Sequence, residues 1–170
     1  MGIGDDVPRE DIVKVLPRLR RFAYSLTSDY DDADDLVQRV VEKVLKRRVP
    51  ENADLLRWCY RVCKNLWVDE IRFRDVRRRA IDEKWLDVPE AVNGEAEMIG
   101  WLDAKKIRAV MDKLPERQRL TVSLITIEGM SYAEAAEFLE VPVGTIMSRL
   151  SRARQELHRR LVEHRLAAGE

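Results

Sequence analysis

Residues 131–154 constrain this chain most: they read as a short helix, a tight turn and a second helix. Ser131 and Glu134 fit the S-x-x-E capping box, in which each side chain satisfies a backbone donor left open at a helix start. Ala133, Ala136 and Leu139 supply the apolar side of that helix. Pro142 lacks the N–H needed to continue it, yet suits the first turn of the next. From there Ile146, Leu150, Ala153, Leu157 and Leu161 recur at spacings of four, three, four and four, one apolar stripe along a second helix. At about 100° per residue, Ser148, Ser151, Arg152 and Gln155 fall on the opposite side, flanked by Thr145, Met147, Arg149 and Arg154. Such a face suits base edges and phosphates in a DNA major groove. A helical hairpin with a merely solvated basic face has the same pattern.

The rest of the chain is helical as well. Seven Gly and six Pro in 170 residues leave few breakers, and strand-like alternation is scarce, so the fold class is all-α. Residues 9–27 carry Ile12, Leu16, Leu19, Phe22, Ala23 and Leu26, with Pro17 expected to kink or restart the helix. Residues 31–48 carry Ala33, Leu36, Val37, Val40, Val41, Val44 and Leu45, with acids in the first turn and bases in the last, as the helix dipole favours. Residues 54–79 make a long amphipathic segment. Further helices are expected near 95–113 and after Pro115. No apolar run is long enough to cross a membrane, and the acidic N-terminus does not resemble a signal peptide, so a cytoplasmic protein is expected. Cys59 and Cys63 lie four apart in an apolar helical pattern without further ligands nearby, which suits reduced core thiols better than a metal site. No nucleophile–base pair or phosphate-cradling Gly loop is evident either; neither enzyme activity nor a cofactor is expected.

The net charge of zero conceals segregation. Residues 51–79 hold eight basic and five acidic side chains, and residues 142–166 hold six and two. Residues 80–103 hold one basic and seven acidic. Two segments able to neutralise phosphates are thus separated by a negative one, and the isolated chain is expected to bind DNA weakly. The turn-rich acidic stretch is also the best boundary. It divides the chain into small helical domains at 8–80 and 95–166, joined by a flexible acidic linker at 81–94.

Taken together, the motifs resemble the extracytoplasmic-function sigma factors. The family pattern A-x-D-L-V-Q is matched by Ala33 to Gln38. The pattern W-L-x-x-I-x-x-N-x-x-x-D-x-x-R is matched at Trp58, Val62, Asn65, Asp69 and Arg72, with Cys59 in place of Leu. L-P-x-x-x-R matches Leu114 to Arg119, and S-Y-x-E-A-A followed by G-T-[IV]-x-S-R-L-x-R-A-R matches 131–154. The departures are Cys59, Arg39 where an acid is common, and Val41 where an aromatic is frequent.

The resemblance implies a promoter-specificity subunit for transcription initiation. Asp34, Asp35, Gln38, Arg39 and Glu42 would touch core RNA polymerase. Trp58, Asn65, Arg72, Arg74, Arg77 and Arg78 would act at the −10 element, and the 47–53 loop would hold an extruded base, at a cost of a few kcal/mol. Thr145, Met147, Ser148, Arg149, Ser151, Arg152 and Arg154 would read −35 duplex DNA. The implied partners are core polymerase, promoter DNA and a cognate anti-sigma factor, the free protein being a monomer. The residues themselves add that Trp58, Asn65, Asp69 and Arg72 share a sector of about 60° on one helix. There Asp69 and Arg72 are spaced to pair as a structural brace. With Trp58, Tyr60, Trp67 and Phe73 among these cations, the segment resembles a platform on which unpaired bases stack. Periodicity consigns some of those rings to the core; one base contact is expected, without indicating which ring. Two rival readings are a one-component helix-turn-helix regulator and a sigma mimic that sequesters an anti-sigma factor.

Overall fold

The computed structural model describes residues 7–46, 49–50, 52–79 and 111–167, with the backbone alone described at 77–79, 161 and 164–167. The chain divides into two compact units, Met1–Lys84 and Trp85–Glu170. The acidic stretch 81–94, nearly all of the helix expected over 95–113, and residues 47, 48 and 51 of the 47–53 loop lie outside the described residues. Among the described residues every regular element is helical.

The first unit holds three helices: α1 (Arg9–Thr27), α2 (Tyr30–Lys46) and α3 (Leu55–Arg79). Local chemistry ends α1 and opens α2 and α3. Ser28 takes the left-handed conformation at the end of α1, its N–H donating to the Tyr24 carbonyl. One residue later, Asp29 Oδ1 accepts from the N–H groups of Asp31 and Asp32 at 2.9 and 3.0 Å, which caps α2. Asp54 Oδ1 accepts the Arg57 N–H at 2.9 Å and caps α3 in the same way. Asp31 and Asp32 open α2 and Lys43 and Lys46 close it, the arrangement its dipole favours. Pro17 does not restart α1: the helix runs unbroken through it. Pro17 and Val13, whose carbonyl loses its partner there, both face solvent, where water can accept the exchange.

All three helices pack pairwise. Leu19, Phe22, Ala23 and Leu26 of α1 meet Leu36, Val37, Val40 and Val44 of α2 and Cys59, Tyr60, Cys63, Leu66 and Trp67 of α3, all buried. The Phe22 and Tyr60 rings sit 4.7 Å apart, tilted at 47°. Each large side chain taken out of water contributes about 1.5–3 kcal/mol before conformational entropy is subtracted.

The second unit comprises α4 (Glu116–Val122), a π-helical turn (Ser123–Ile127), α5 (Tyr132–Leu139) and α6 (Val143–Ala167). The π turn was not foreseen. It widens the end of α4 by one residue, with the Glu128 N–H donating to the Ser123 carbonyl at 3.1 Å. Gly129, at φ +70°, then supplies the left-handed backbone that releases the chain into the capping box of α5. Both halves of that box are formed: the Ser131 N–H donates to Glu134 Oε2 at 2.8 Å, and the Glu134 N–H donates to Ser131 Oγ at 3.2 Å. The apolar side of α5 differs from the expectation. Ala135, Ala136 and Phe138 are buried, Leu139 is half-buried and Ala133 is exposed. Phe138 decides this rotation, since it is the largest buried side chain of α5 and it occupies the core.

Glu140 closes α5 in the left-handed conformation, and the Val141 N–H donates to the Ala136 carbonyl at 3.0 Å before Pro142 leads into α6. Along α6, Ile146, Leu150 and Ala153 are buried and Leu157 is half-buried. Leu150, Ala153 and Leu157 pack with Met111, Leu114 and Val122 in one core.

Burial separates the two thiols from ordinary cysteine chemistry. The Cys59 thiol is pushed from 9.0 up to about 11, first by burial and then by the Asp54 carboxylate. Burial, then neighbouring Cys59, pushes Cys63 higher still. A thiol raised in the folded state leaves stability intact below the unfolded value near 9 and removes it as pH climbs toward 11. The urea midpoint should therefore fall steeply from about pH 9 upward. Cys59→Ala with Cys63→Ala should be less stable at neutral pH but show a shallower alkaline decline. Thiol labelling at pH 8 should be slow in the native chain and complete in urea.

Candidate nucleic-acid interface

The outward side of α6 begins where its buried stripe ends. Met147, Ser148, Arg152 and Arg154 are exposed, and Thr145, Arg149, Ser151 and Gln155 are half-buried. Thr145, Ser148, Arg149 and Arg152 line a shallow groove whose other wall is Pro115, Glu116, Arg117 and Gln118 at the start of α4. Met147, Ser151 and Arg154 lie outside it. The α4 wall was missed by sequence reasoning, although the L-P-x-x-x-R motif covers it. The missing information was which motif residues face outward.

That motif splits. Its arginine, Arg119, is largely buried and reaches Asp112 at 3.5 Å. Burial lowers its pKa and Asp112 partly restores it. Arg119 is a brace for the core. Arg117, two residues earlier, faces the groove. It meets Arg149, whose pKa is lowered by burial and then by the Arg117 charge. Neither guanidinium has an ion pair among the described residues, and neither have Arg152 and Arg154. Farther along α6 the cations are occupied. Arg159 pairs with Glu156 and Glu163, each at 2.8 Å, and Arg160 pairs with Glu156. Free positive charge therefore collects at the N-terminal half of α6 and the start of α4, where an anion would relieve it.

The first unit offers a second surface. Asp35, Gln38, Arg39 and Glu42 line a groove along α2, joined by Asp32, Leu36 and, from α3, Glu70. Asp34 stands apart and pairs with Arg20 of α1 at 3.3 Å. Glu70 is central. One carboxylate oxygen accepts from Arg39 at 3.2 Å and the other from Arg74 at 2.5 Å, and Arg74 also lies 3.6 Å from Asp32. The expected brace between Asp69 and Arg72 is not formed: both are exposed, and among the described residues no ion pair joins them. Glu70, the neighbour of Asp69, takes that part because its position on α3 faces α2.

The ring assignments on α3 narrow. Tyr60 is 2% exposed and Trp67 5%, so both are core. Trp58 is half-buried, and Phe73 is 62% exposed. Asn65 and Arg72 are exposed; the side chains of Arg77 and Arg78 lie outside the described set.

The described residues thus form one helical bundle carrying a charged groove and a second unit presenting a helix-turn-helix whose Arg149, Arg152 and Arg154 have no ion pair among the described residues. Residues 12–79 match the family model of Sigma-70 region 2, and residues 104–157 match that of Sigma-70, region 4. The chain is 34% identical over 154 residues to the ECF RNA polymerase sigma factor EcfG of Rhodopseudomonas palustris, covering 89% of this chain and 83% of that protein. It is also 34% identical to the ECF sigma factor SigE of Mycolicibacterium smegmatis, over 86% of this chain and 58% of that one. Among solved structures it is similar to the sigma factor RpoE of Bartonella quintana, crystallised with the anti-sigma factor NepR. That likeness has a TM-score of 0.70 and 30% identity, over 90% of this chain and 95% of that one. The chain belongs to the extracytoplasmic-function sigma factors, which direct RNA polymerase to promoters. Among the described residues no helix is long and apolar enough to cross a membrane.

Gly144, the second residue of α6, is not required by any neighbour among the described residues. A Cβ built there meets nothing within 4 Å, and its φ is not positive. Gly144→Ala should therefore stabilise the second unit by roughly 0.5–1 kcal/mol through helix propensity. Equilibrium denaturation of the full chain checks this, and a loss of stability would place an unseen neighbour against that backbone.

Proposed function

We propose that the chain initiates transcription by dividing promoter recognition between its units. The 95–166 domain reads −35 duplex DNA with α6 in the major groove, and the 8–80 domain holds core polymerase on α2 and stabilises the opened −10 element along α3. The observation that carries the duplex reading is the groove lined by Arg117, Arg149 and Arg152: three guanidiniums beside the single carboxylate of Glu116, none of the three in an ion pair among the described residues, with Arg149 partly desolvated. DNA phosphates satisfy such a set with charge-assisted hydrogen bonds. Arg152, at the outward crest, suits a bidentate contact to a guanine, worth about 1–3 kcal/mol of discrimination. Arg149 and Arg117 suit the flanking backbone, and Thr145, Met147, Ser148, Ser151 and Arg154 border the contact.

On α3, Arg72 is the exposed cation best disposed to a single strand, with Arg74, Arg77 and Arg78 continuing beyond it and Asn65 preceding it. Trp58 and Phe73 are the two rings left for stacking on bases. On α2, the carboxylates around Arg39 suit a basic segment of polymerase, with Asp34, Asp35, Gln38 and Glu42 along the same helix. The protein acts in the cytoplasm, as a monomer when free and as a specificity subunit without chemistry of its own. A cognate anti-sigma factor is expected to hold it inactive, by analogy with the similar Bartonella sigma factor.

Run-off transcription with core polymerase and the DNA upstream of the protein's own gene is the direct test. Promoter-dependent transcript supports the sigma reading. Polymerase binding without transcript favours a mimic, and tight site-specific binding by the free chain favours a one-component regulator.

The groove contacts separate by salt dependence. Arg117→Ala should weaken −35 binding evenly across sequences and lower the salt slope by about 0.9. Arg152→Ala should instead relax preference at one or two base pairs, with about 10-fold or more loss on the preferred site. Both should leave polymerase binding intact. Gly144→Ala should weaken duplex binding despite its gain in stability, if DNA backbone approaches α6 at its start; equal binding would remove Gly144 from the interface.

A further inference from the structure

Glu70 joins the two surfaces of the first unit. It lies on α3 and lines the α2 groove, and its two oxygens hold Arg39 at 3.2 Å and Arg74 at 2.5 Å. Asp32, another residue lining the same groove, holds Arg74 from the other side at 3.6 Å. The groove's lining carries four carboxylates, Asp32, Asp35, Glu42 and Glu70, and one guanidinium, Arg39; from beyond the lining Lys46 reaches Glu42 at 3.6 Å and Arg74 reaches Asp32 and Glu70. Its complement is therefore a cationic segment. Any Lys or Arg side chain that enters competes with Arg74 for the two carboxylates that neutralise it.

We propose that Glu70 is a positioning residue that masks Arg74 in the free chain and releases it to single-stranded DNA when a basic segment of polymerase occupies the α2 groove. The proposal rests on the reading of α2 and α3 given above and adds the coupling between them. Arg74 is well exposed yet doubly paired, so withdrawing it to a phosphate in the free chain costs the Glu70 and Asp32 contacts. Arg72, two residues earlier and without an ion pair among the described residues, carries no such cost. Exposed ion pairs are individually weak, so the mask is a bias of about two- to fivefold in binding. A bias of that size suits a contact meant to be exchanged.

The test measures the penalty of Arg74→Ala on binding of a single-stranded poly(dT) oligonucleotide by the full chain, alone and saturated with core polymerase. In the free wild-type chain the penalty should be negligible. In free Glu70→Gln, affinity should rise about two- to fivefold and the salt slope should steepen by about 0.7, and Arg74→Ala should erase both gains. In the polymerase-bound wild-type chain, Arg74→Ala should again weaken binding. Asp32→Asn, which removes only the longer contact, should act in the same direction as Glu70→Gln and more weakly; it serves as the second probe should Glu70→Gln unfold the bundle.

Unchanged binding in both Glu70→Gln and Asp32→Asn would overturn the proposal. So would a gain erased by Arg39→Ala instead of Arg74→Ala, which would mark a general charge effect, or an Arg74→Ala penalty equal in the free and bound chains. Arg72→Ala separates this from failure of the underlying reading. If it weakens binding while the carboxylate variants do nothing, the coupling alone fails. If it and Arg74→Ala are silent in every state, α3 is not a DNA surface and both fail.

Discussion

In each unit a long helix is gripped along one side only, and the chemistry of its other side follows from that grip. Ile146, Leu150 and Ala153 are wholly or almost wholly removed from water, and their burial leaves Ser148 and Arg152 facing outward. Cys59, Tyr60, Cys63, Leu66 and Trp67 do the same for α3, turning Asn65, Asp69 and Arg72 to solvent. The apolar side sets the rotation of the helix, because the transfer energy of several large side chains exceeds any gain from exposed charges. The functional faces are defined by what the core leaves over.

Charge then divides those faces into occupied and open portions. The later turns of α6 are laced by Glu156 and Glu163 onto Arg159 and Arg160, which supports an exposed helix end by a few tenths of a kcal/mol per pair. In the first turns no ion pair holds Arg149, Arg152 or Arg154 among the described residues, although Glu116 lines the same groove. Arg149 and Arg117 face one another in a partly desolvated groove, an arrangement that is unfavourable in isolation and becomes favourable with an anion. On α3 the pattern reverses, and the cation nearest α2 is held by carboxylates on both sides. A chain of zero net charge can thus bear a strongly cationic site, because its acids are placed elsewhere.

The helices of the first unit were legible almost to the residue, since their apolar periods are strong and their ends carry caps such as Asp29 and Asp54. The capping box at Ser131 and the stripe of α6 were equally plain, since both depend only on neighbours along the chain. The π turn at Ser123–Ile127 was not, because it is a one-residue misfit with no periodic signature. The rotation of α5 was misjudged for a related reason. Three alanines offered several possible apolar sides, and only packing against α6 chose the one containing Phe138.

Sequence alone therefore determined the helices of the first unit, the capping box at Ser131 and the buried stripe of α6, which follow from spacing along the chain, and the family, which follows from the order of the motifs. Tertiary structure decided which residues from different helices meet. Arg117 reached the α6 groove, Arg119 two positions away became a core brace, and Glu70 rather than Asp69 bridged α2 and α3. It also separated the rings, sending Tyr60 and Trp67 inward and leaving Phe73 outside. The reason is geometric. Successive residues on a helix point about 100° apart, so a shift of one or two positions exchanges core for surface, and the rotation is set by partners far away in the chain.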